Sequence, residues 1–218
     1  MFEVIPGILE KDWSEIERKI EIVKPFISTI HIDIIDGKFA PNTTFIDPLP
    51  FKKFTLPLSG QALFFELHMM VDNPIAYLKP FADVGFKRFI GHIEKMPDQE
   101  EFVAKAQEFG EVGLAIDGPT NLSAIKVPYS DLDSVLIMTI KAGQSGQVFN
   151  AEYLEKVRTL RQAQGQFLPI EIDGGINDQT IVLAKNAGAN RFIANSFLFN
   201  SPDPQKQYEM LKRVQHDN

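Results

Sequence analysis

The chain has 218 residues, 44% of them hydrophobic, a net charge of −7 and no cysteine. That length supports one sizeable core. The acidic balance argues against nucleic acid or an anionic membrane as partner, and without thiols there are no disulfides and any metal must be held by nitrogen and oxygen. No stretch reaches the roughly 18–20 apolar residues of a membrane span. The opening MFEVIPGILEKDW has neither a basic start nor a small-residue cleavage site, so the expectation is a cytoplasmic protein. A phosphorylated small molecule stays compatible with the net charge, because a few local donors override it.

In chain order, apolar β-branched or aromatic runs predict strands at 2–6, 28–33, 64–69, 88–93, 112–116, 134–138, 169–173 and 191–195. Amphipathic stretches predict helices at 13–24, 75–84, 98–109, 151–163, 178–187 and 203–214, with weaker segments at 48–53 and 121–126. Asn73, Pro74 and Gly85 read as the cap, first position and stop of one helix; Asn177 and Gly188 bracket another. Eight alternations with buried strands imply a parallel sheet. In this length they suit a single-domain (β/α)8 TIM barrel over residues 1–218, with a frayed tail at about 214–218. The alternative is an open doubly wound sheet, against which stands the lack of a GxGxxG after the first strand.

Four polar residues fall at predicted strand ends: His31 and Asp33 in IHIDIIDG, His68 in FFELHMMV and Asp173 in IEIDGGIN. An unpaired charge in such apolar runs is expensive. His31 and Asp33, two apart on a strand, share a face with Cα atoms roughly 6.7 Å apart. In a barrel the second strand neighbours the third, and Asp173 reaches in from the other side of the mouth, where such barrels gather their functional groups. Two imidazoles and two carboxylates can hold one divalent metal. Two carboxylates facing a central ligand can remove a proton from carbon on one face and deliver one to the other, with a metal stabilising the negative oxygen. That is equipment for inverting a stereocentre beside a carbonyl. A single histidine or aspartate in a strand is more often a hydrogen-bonded structural residue; the case rests on four together.

A second constellation is glycine-rich: KAGQSGQVF (141–149), DGGIN (173–177) and ANS (194–196) follow the sixth, seventh and eighth strands. Loops after strands seven and eight commonly cradle phosphate through backbone N–H groups, which nominates Gly174, Gly175, Asn195 and Ser196, with Gly143 and Gly146 letting the sixth loop approach. Taken singly, glycines simply make βα turns.

These segments resemble the ribulose-phosphate 3-epimerase family. HIDIIDGKFAPNTTF is similar to its second-strand signature, usually close to HVDVMDGHFVPN, and ELHMMVDNPIAYLKPFADVG to its third-strand segment. LIMTIKAGQSGQVF matches the sixth-strand loop in length and partly in residues. IEIDGGIN with GANRFIANSFLF resembles the phosphate end, and the likeness runs in register from about residue 4 to 200. The resemblance implies that His31, Asp33, His68 and Asp173 bind one divalent metal, zinc or Fe, Mn or Co. Asp33 and Asp173 would be the acid/base pair interconverting D-ribulose 5-phosphate and D-xylulose 5-phosphate through a metal-stabilised enediolate. It places Met70 and Met138 against the reacting centre, where ordinary apolar packing is the competing reading. It also implies a homo-oligomer with a small-molecule sugar phosphate as partner.

Departures accompany the likeness. Where the family has the serine of PSILSADF, PGILEKDW puts Glu10, which when ionised only accepts hydrogen bonds and repels an anionic substrate unless paired. Lys141 is a candidate partner for it, or a cation for a phosphate, or a solvent-exposed loop residue. Ile35 replaces the second-strand methionine. The sixth loop reads KAGQSGQ where NPGFGGQ is usual, keeping Gly143, Gly146 and Gln147, and losing its aromatic and proline alters how it covers substrate. Lys38 reads as surface; His92 and Glu94 read as polar structure. Three readings compete: a ketose-phosphate 3-epimerase acting on ribulose 5-phosphate or on a relative such as allulose 6-phosphate; a catalytically weak phosphosugar-binding paralogue; and a decarboxylase-like barrel sharing the DGGI end.

Overall fold

The computed structural model describes residues 2–55, 62–143 and 146–216. Eight strands, β1 (Glu3–Ile8), β2 (Thr29–Ile35), β3 (Phe64–Met70), β4 (Arg88–His92), β5 (Glu111–Ile116), β6 (Ser134–Met138), β7 (Ile170–Asp173) and β8 (Arg191–Ala194), close into a barrel. Every strand pair is parallel, and β1 completes the ring by pairing with β8. This is a (β/α)8 TIM barrel, and the open doubly wound alternative falls. The outer ring comprises α1 (Trp13–Val23), α2 (Lys52–Thr55), α3 (Ile75–Asp83), α4 (Gln99–Gln107), α5 (Leu154–Gln164), α6 (Thr180–Ala187), α7 (Ser196–Phe199) and α8 (Pro204–Arg213). No helix among the described residues is long and apolar enough to cross a membrane.

Alternation along each strand sorts the side chains. On β2, Ile30, Ile32 and Ile34 belong to the main core between barrel and helices, as do Phe65, Leu67 and Met69 on β3. Trp13, Phe51, Phe65, Phe81 and Phe86 extend that core in edge-to-face contacts, with ring centroids 5.0 Å apart for Trp13–Phe51 and 5.3 Å for Phe51–Phe86. Each fully buried aromatic contributes about 1.5–3 kcal/mol. The intervening residues point inward. Ile35, Met70, Ile90, Leu136 and Met138 form a small apolar cluster near the mouth. Beneath it lies a charged floor: Arg88 pairs with Glu66, and Arg191 Nη1 donates to Glu171 Oε1 at 2.8 Å.

The predicted ends of α6 match local chemistry, whereas at α3 Pro74 and not Asn73 stands at the cap position, with no side-chain cap, because the helix starts one residue later at Ile75; Gly85 follows its end with φ +102°. The Asn177 side chain accepts from the N–H groups of Gln179 and Thr180, both at 2.9 Å, and Gly188 closes α6 with φ +112°. Two further differences matter. The weak segment at 121–126 yields only a 3-10 turn, Leu122–Ala124. Asn121 caps it, but Pro128 keeps the residue before it out of the helical region, and a second 3-10 turn at Tyr129–Asp131 completes the β5–β6 connection. The segment at 48–53 becomes a 3-10 turn, Leu49–Phe51, running into α2. At the C-terminus Val214 is buried and its carbonyl accepts from Lys185 Nζ at 2.7 Å. Residues 217–218 of the tail lie outside the described residues.

Candidate active site

Register places the first three groups. On the paired strands β2 and β3, Asp33 stands opposite His68 and His31 opposite Glu66. Asp173 arrives from β7, across the barrel. His68 Nδ1 lies 2.8 Å from Asp33 Oδ1 and 3.7 Å from Asp173 Oδ2, and His31 Nε2 lies 3.2 Å from Asp33 Oδ1. One ligand atom from each of His31, Asp33, His68 and Asp173 lies within 4.8 Å of all the others. Both imidazoles are fully buried, while Asp33 and Asp173 keep slight exposure to the mouth.

Sequence reasoning missed the support beneath this cluster. The Nδ1–H of His31 donates to Glu66 Oε1 at 2.7 Å, and Arg88 holds the other carboxylate oxygen of Glu66. With Nδ1 engaged, Nε2 is the nitrogen that His31 turns toward the cluster. The signal was present, a glutamate two residues before His68 in an apolar strand, but only strand register puts it under His31. On the far side His92 stacks on His68, with centroids 4.8 Å apart. His92 is held by Glu94 Oε2 at 2.9 Å, and Glu94 Oε1 accepts the Asp117 N–H at 2.7 Å.

These surroundings separate the acid groups. Burial pushes the Asp33 carboxyl up, but the flanking His31 and His68 outweigh it and hold Asp33 well below the usual carboxylate range. Burial and then the nearby Asp33 charge push Asp173 up to about 6. Burial works against ionisation of Glu66 as well, yet His31 and Arg88 bring it down to about 2. Burial opposes the charge on His31, but Asp33 and Glu66 raise it well above the ordinary imidazole value. The site therefore concentrates negative charge around two imidazoles, with no lysine or arginine among the four groups. The donor set fits one divalent cation with nitrogen and oxygen ligands.

A narrow cavity opens above the cluster. It is lined by Asp33 and Asp173, by Met70 and Met138, and by Gly143, Gly146, Gly174, Gly175, Asn195 and Ser196. Leu9, Ile140, Ile176 and Ile193 complete the wall. Gly174 turns with φ +118°, and a Cβ there would sit 2.5 Å from Ile140 Cγ1, so the turn itself requires glycine. The second loop supports the sixth: Asn42 Nδ2 donates to the Gly143 carbonyl at 3.2 Å. Ser196 begins the short helix α7, which periodicity over four residues does not reveal.

Three predicted residues fall elsewhere. Gln147 lies off this cavity, with its Nε2 donating to the Lys141 carbonyl at 2.7 Å. Lys141 is exposed and lines a neighbouring hollow with Ala40, Pro41 and Asn42. Glu10 does not pair with Lys141; Lys19 Nζ of α1 holds its Oε1 at 2.7 Å. One further inward residue, Gly7, stands in register with His31, and Ile193 occupies the space a Cβ at Gly7 would need.

A (β/α)8 barrel with a carboxylate–imidazole cluster and glycine turns at its C-terminal mouth has the layout of a barrel enzyme. The sequence model of the ribulose-phosphate 3 epimerase family matches residues 3–199, and the chain belongs to that family. A ribulose-phosphate 3-epimerase of Schizosaccharomyces pombe is 33% identical over 212 residues, covering 96% of this chain and 92% of its own. One of Bacillus subtilis is 32% identical over 218 residues, covering 97% and 99%. Among solved structures, 3-hexulose-6-phosphate synthase from Salmonella typhimurium superposes with a TM-score of 0.73 at 14% identity, covering 98% of this chain and 99% of that one. At that identity the likeness concerns the fold alone.

Proposed function

We propose that this protein inverts C3 of a ketose phosphate, interconverting D-ribulose 5-phosphate and D-xylulose 5-phosphate, with Asp33 and Asp173 as the acid/base pair. The observation that carries this reading is the approach of two carboxylates to one small space from β2 and β7, on opposite sides of the barrel. One carboxylate takes the C3 proton on its own face and leaves an enediolate. The other, protonated, returns a proton to C3 on the opposite face. The reverse direction exchanges their roles. Met70 and Met138 offer an apolar wall beside the planar intermediate. The turns at Gly174–Gly175 and Asn195–Ser196 are where barrels of this kind receive phosphate.

His31, Asp33, His68 and Asp173 would hold the divalent metal, zinc or iron, manganese or cobalt. Bound there, it supplies stabilisation of the negative charge that develops on the substrate oxygens. Glu66 orients His31 for that task.

The test follows deuterium from solvent into C3 of ribulose 5-phosphate, alongside the metal content of the purified protein. Deuterium entry and epimerisation are expected, both lost in Asp33→Asn and Asp173→Asn variants that still fold. Full activity in either variant contradicts the assignment.

A further inference from the structure

Lys19 is out of place by composition. It lies on the core-facing side of α1 with Ile16, Ile20 and Val23, and is only 7% exposed. A lysine kept there requires partners. It has three: Glu10 Oε1 at 2.7 Å, the Phe199 ring at 4.6 Å from its centroid, and Asn195 Oδ1 at 3.4 Å. Glu10 is fixed in turn, because its carbonyl accepts the Phe45 N–H at 2.8 Å. The lysine thus ties the loop after β1 to the loop after β8, and both contribute to the cavity wall, through Leu9 and through Asn195 and Ser196.

An ammonium has donors and no acceptor, so the group Asn195 turns toward it must be the amide oxygen. The NH2 end is then the donor that Asn195 has left to offer. We propose that Lys19, anchored by Glu10, is a positioning residue that fixes the Asn195 amide with its NH2 presented to a phosphoryl oxygen of the substrate. The inference rests on the sugar-phosphate reading above. It also gives Glu10 a role: its charge is absorbed by Lys19 and not turned on an anionic ligand.

The experiment uses Lys19→Met, Lys19→Arg and Asn195→Asp in the full chain, with two readouts. The first is KM and kcat for ribulose 5-phosphate. The second is the Asn195 side-chain amide signal in a nitrogen–proton correlation spectrum, assigned by its loss in Asn195→Asp and titrated with inorganic phosphate. Loss of one hydrogen bond to a charged group is worth about a tenfold change in affinity, so Lys19→Met is expected to raise KM by about tenfold with a smaller change in kcat. The same variant abolishes the phosphate-induced shift of the amide, and Lys19→Arg restores both. Asn195→Asp keeps a partner for Lys19 but replaces the donor by an acceptor, so its KM rises at least as far; it decides the matter if Lys19→Met fails to fold. An unchanged KM in Lys19→Met or Asn195→Asp, or an amide shift identical with and without Lys19, overturns the inference. Wild-type protein inert toward ribulose 5-phosphate instead overturns the sugar-phosphate reading, and the amide titration then still decides the role of Lys19.

Discussion

Glu66 accepts the Nδ1 hydrogen of His31 at 2.7 Å, one layer below the cavity, and thereby chooses which nitrogen of that imidazole faces Asp33. Removing the charge from such a partner typically costs 10- to 100-fold in metal affinity. Glu66→Gln keeps only one acceptor for the two donors of His31 and Arg88, so it is expected to lower the unfolding temperature and, in the protein that folds, to weaken divalent-metal binding by about tenfold or more. Competition of the variant and the parent against a fluorescent chelator measures it; equal affinities would reduce Glu66 to a structural role.

Metal removal should change stability as well as turnover. A ligand that binds only the folded state stabilises it by about 4 kcal/mol at a thousand times its Kd. Protein stripped with a chelator is expected to unfold at a lower temperature than protein resupplied with zinc or manganese, and to regain proton exchange at C3 on resupply. Differential scanning calorimetry with and without chelator reads the shift, and identical traces would argue that the four groups hold no cation.

Gly174 tests the cavity wall. Its φ is +118°, and Ile140 Cγ1 stands 2.5 Å from where a Cβ would fall, which leaves no room for a side chain. Gly174→Ala is expected to cost about 1–3 kcal/mol, from backbone strain and local overpacking, seen as a lower urea midpoint with unchanged slope. Gly146 has a φ of +80° but nothing within 4 Å of the corresponding point, so Gly146→Ala bears only the backbone part and should cost less.

Glu94 supplies a pH signature away from the catalytic groups. Burial raises its carboxyl, but hydrogen bonds from His92, Thr120 and the Asp117 N–H bring it from its ordinary value of 4.5 down to about 2. The folded state thus holds the ionised form more tightly than the unfolded chain does. The stabilisation is complete above pH 4.5 and is lost as the pH falls toward 2. Discounted for partial exposure, it amounts to about 2 kcal/mol. The stability gap between wild type and Glu94→Gln is expected to be largest near neutrality and to close through this acid window; a gap independent of pH would mean the carboxylate is not the source.

The strands were legible because each is a short β-branched or aromatic run. The cluster was legible because four histidine or aspartate residues, each compatible with a structural role when taken singly, fell at the same end of separate runs. What escaped depended on partners distant in the chain. Glu66 looks like any strand glutamate until register puts it beneath His31. Lys19 looks like a solvent-facing lysine of an amphipathic helix; its burial depends on Glu10, Phe199 and Asn195. The β5–β6 connection misled in the other direction: Asn121 is a good cap, but Pro128 allows the turn it starts no continuation as a helix.

The floor of the barrel has an evolutionary consequence. Glu66, Arg88, Glu171 and Arg191 put two negative and two positive side chains on the barrel floor, and at its rim Glu111 and Glu3 add a further carboxylate to each arginine. Removing one member of a buried ion pair costs up to about 3–5 kcal/mol, whereas exchanging a complementary couple for apolar groups of similar volume leaves the net charge unchanged. Descendants of this chain should therefore exchange Glu66 or Glu171 together with the arginine it pairs more often than alone.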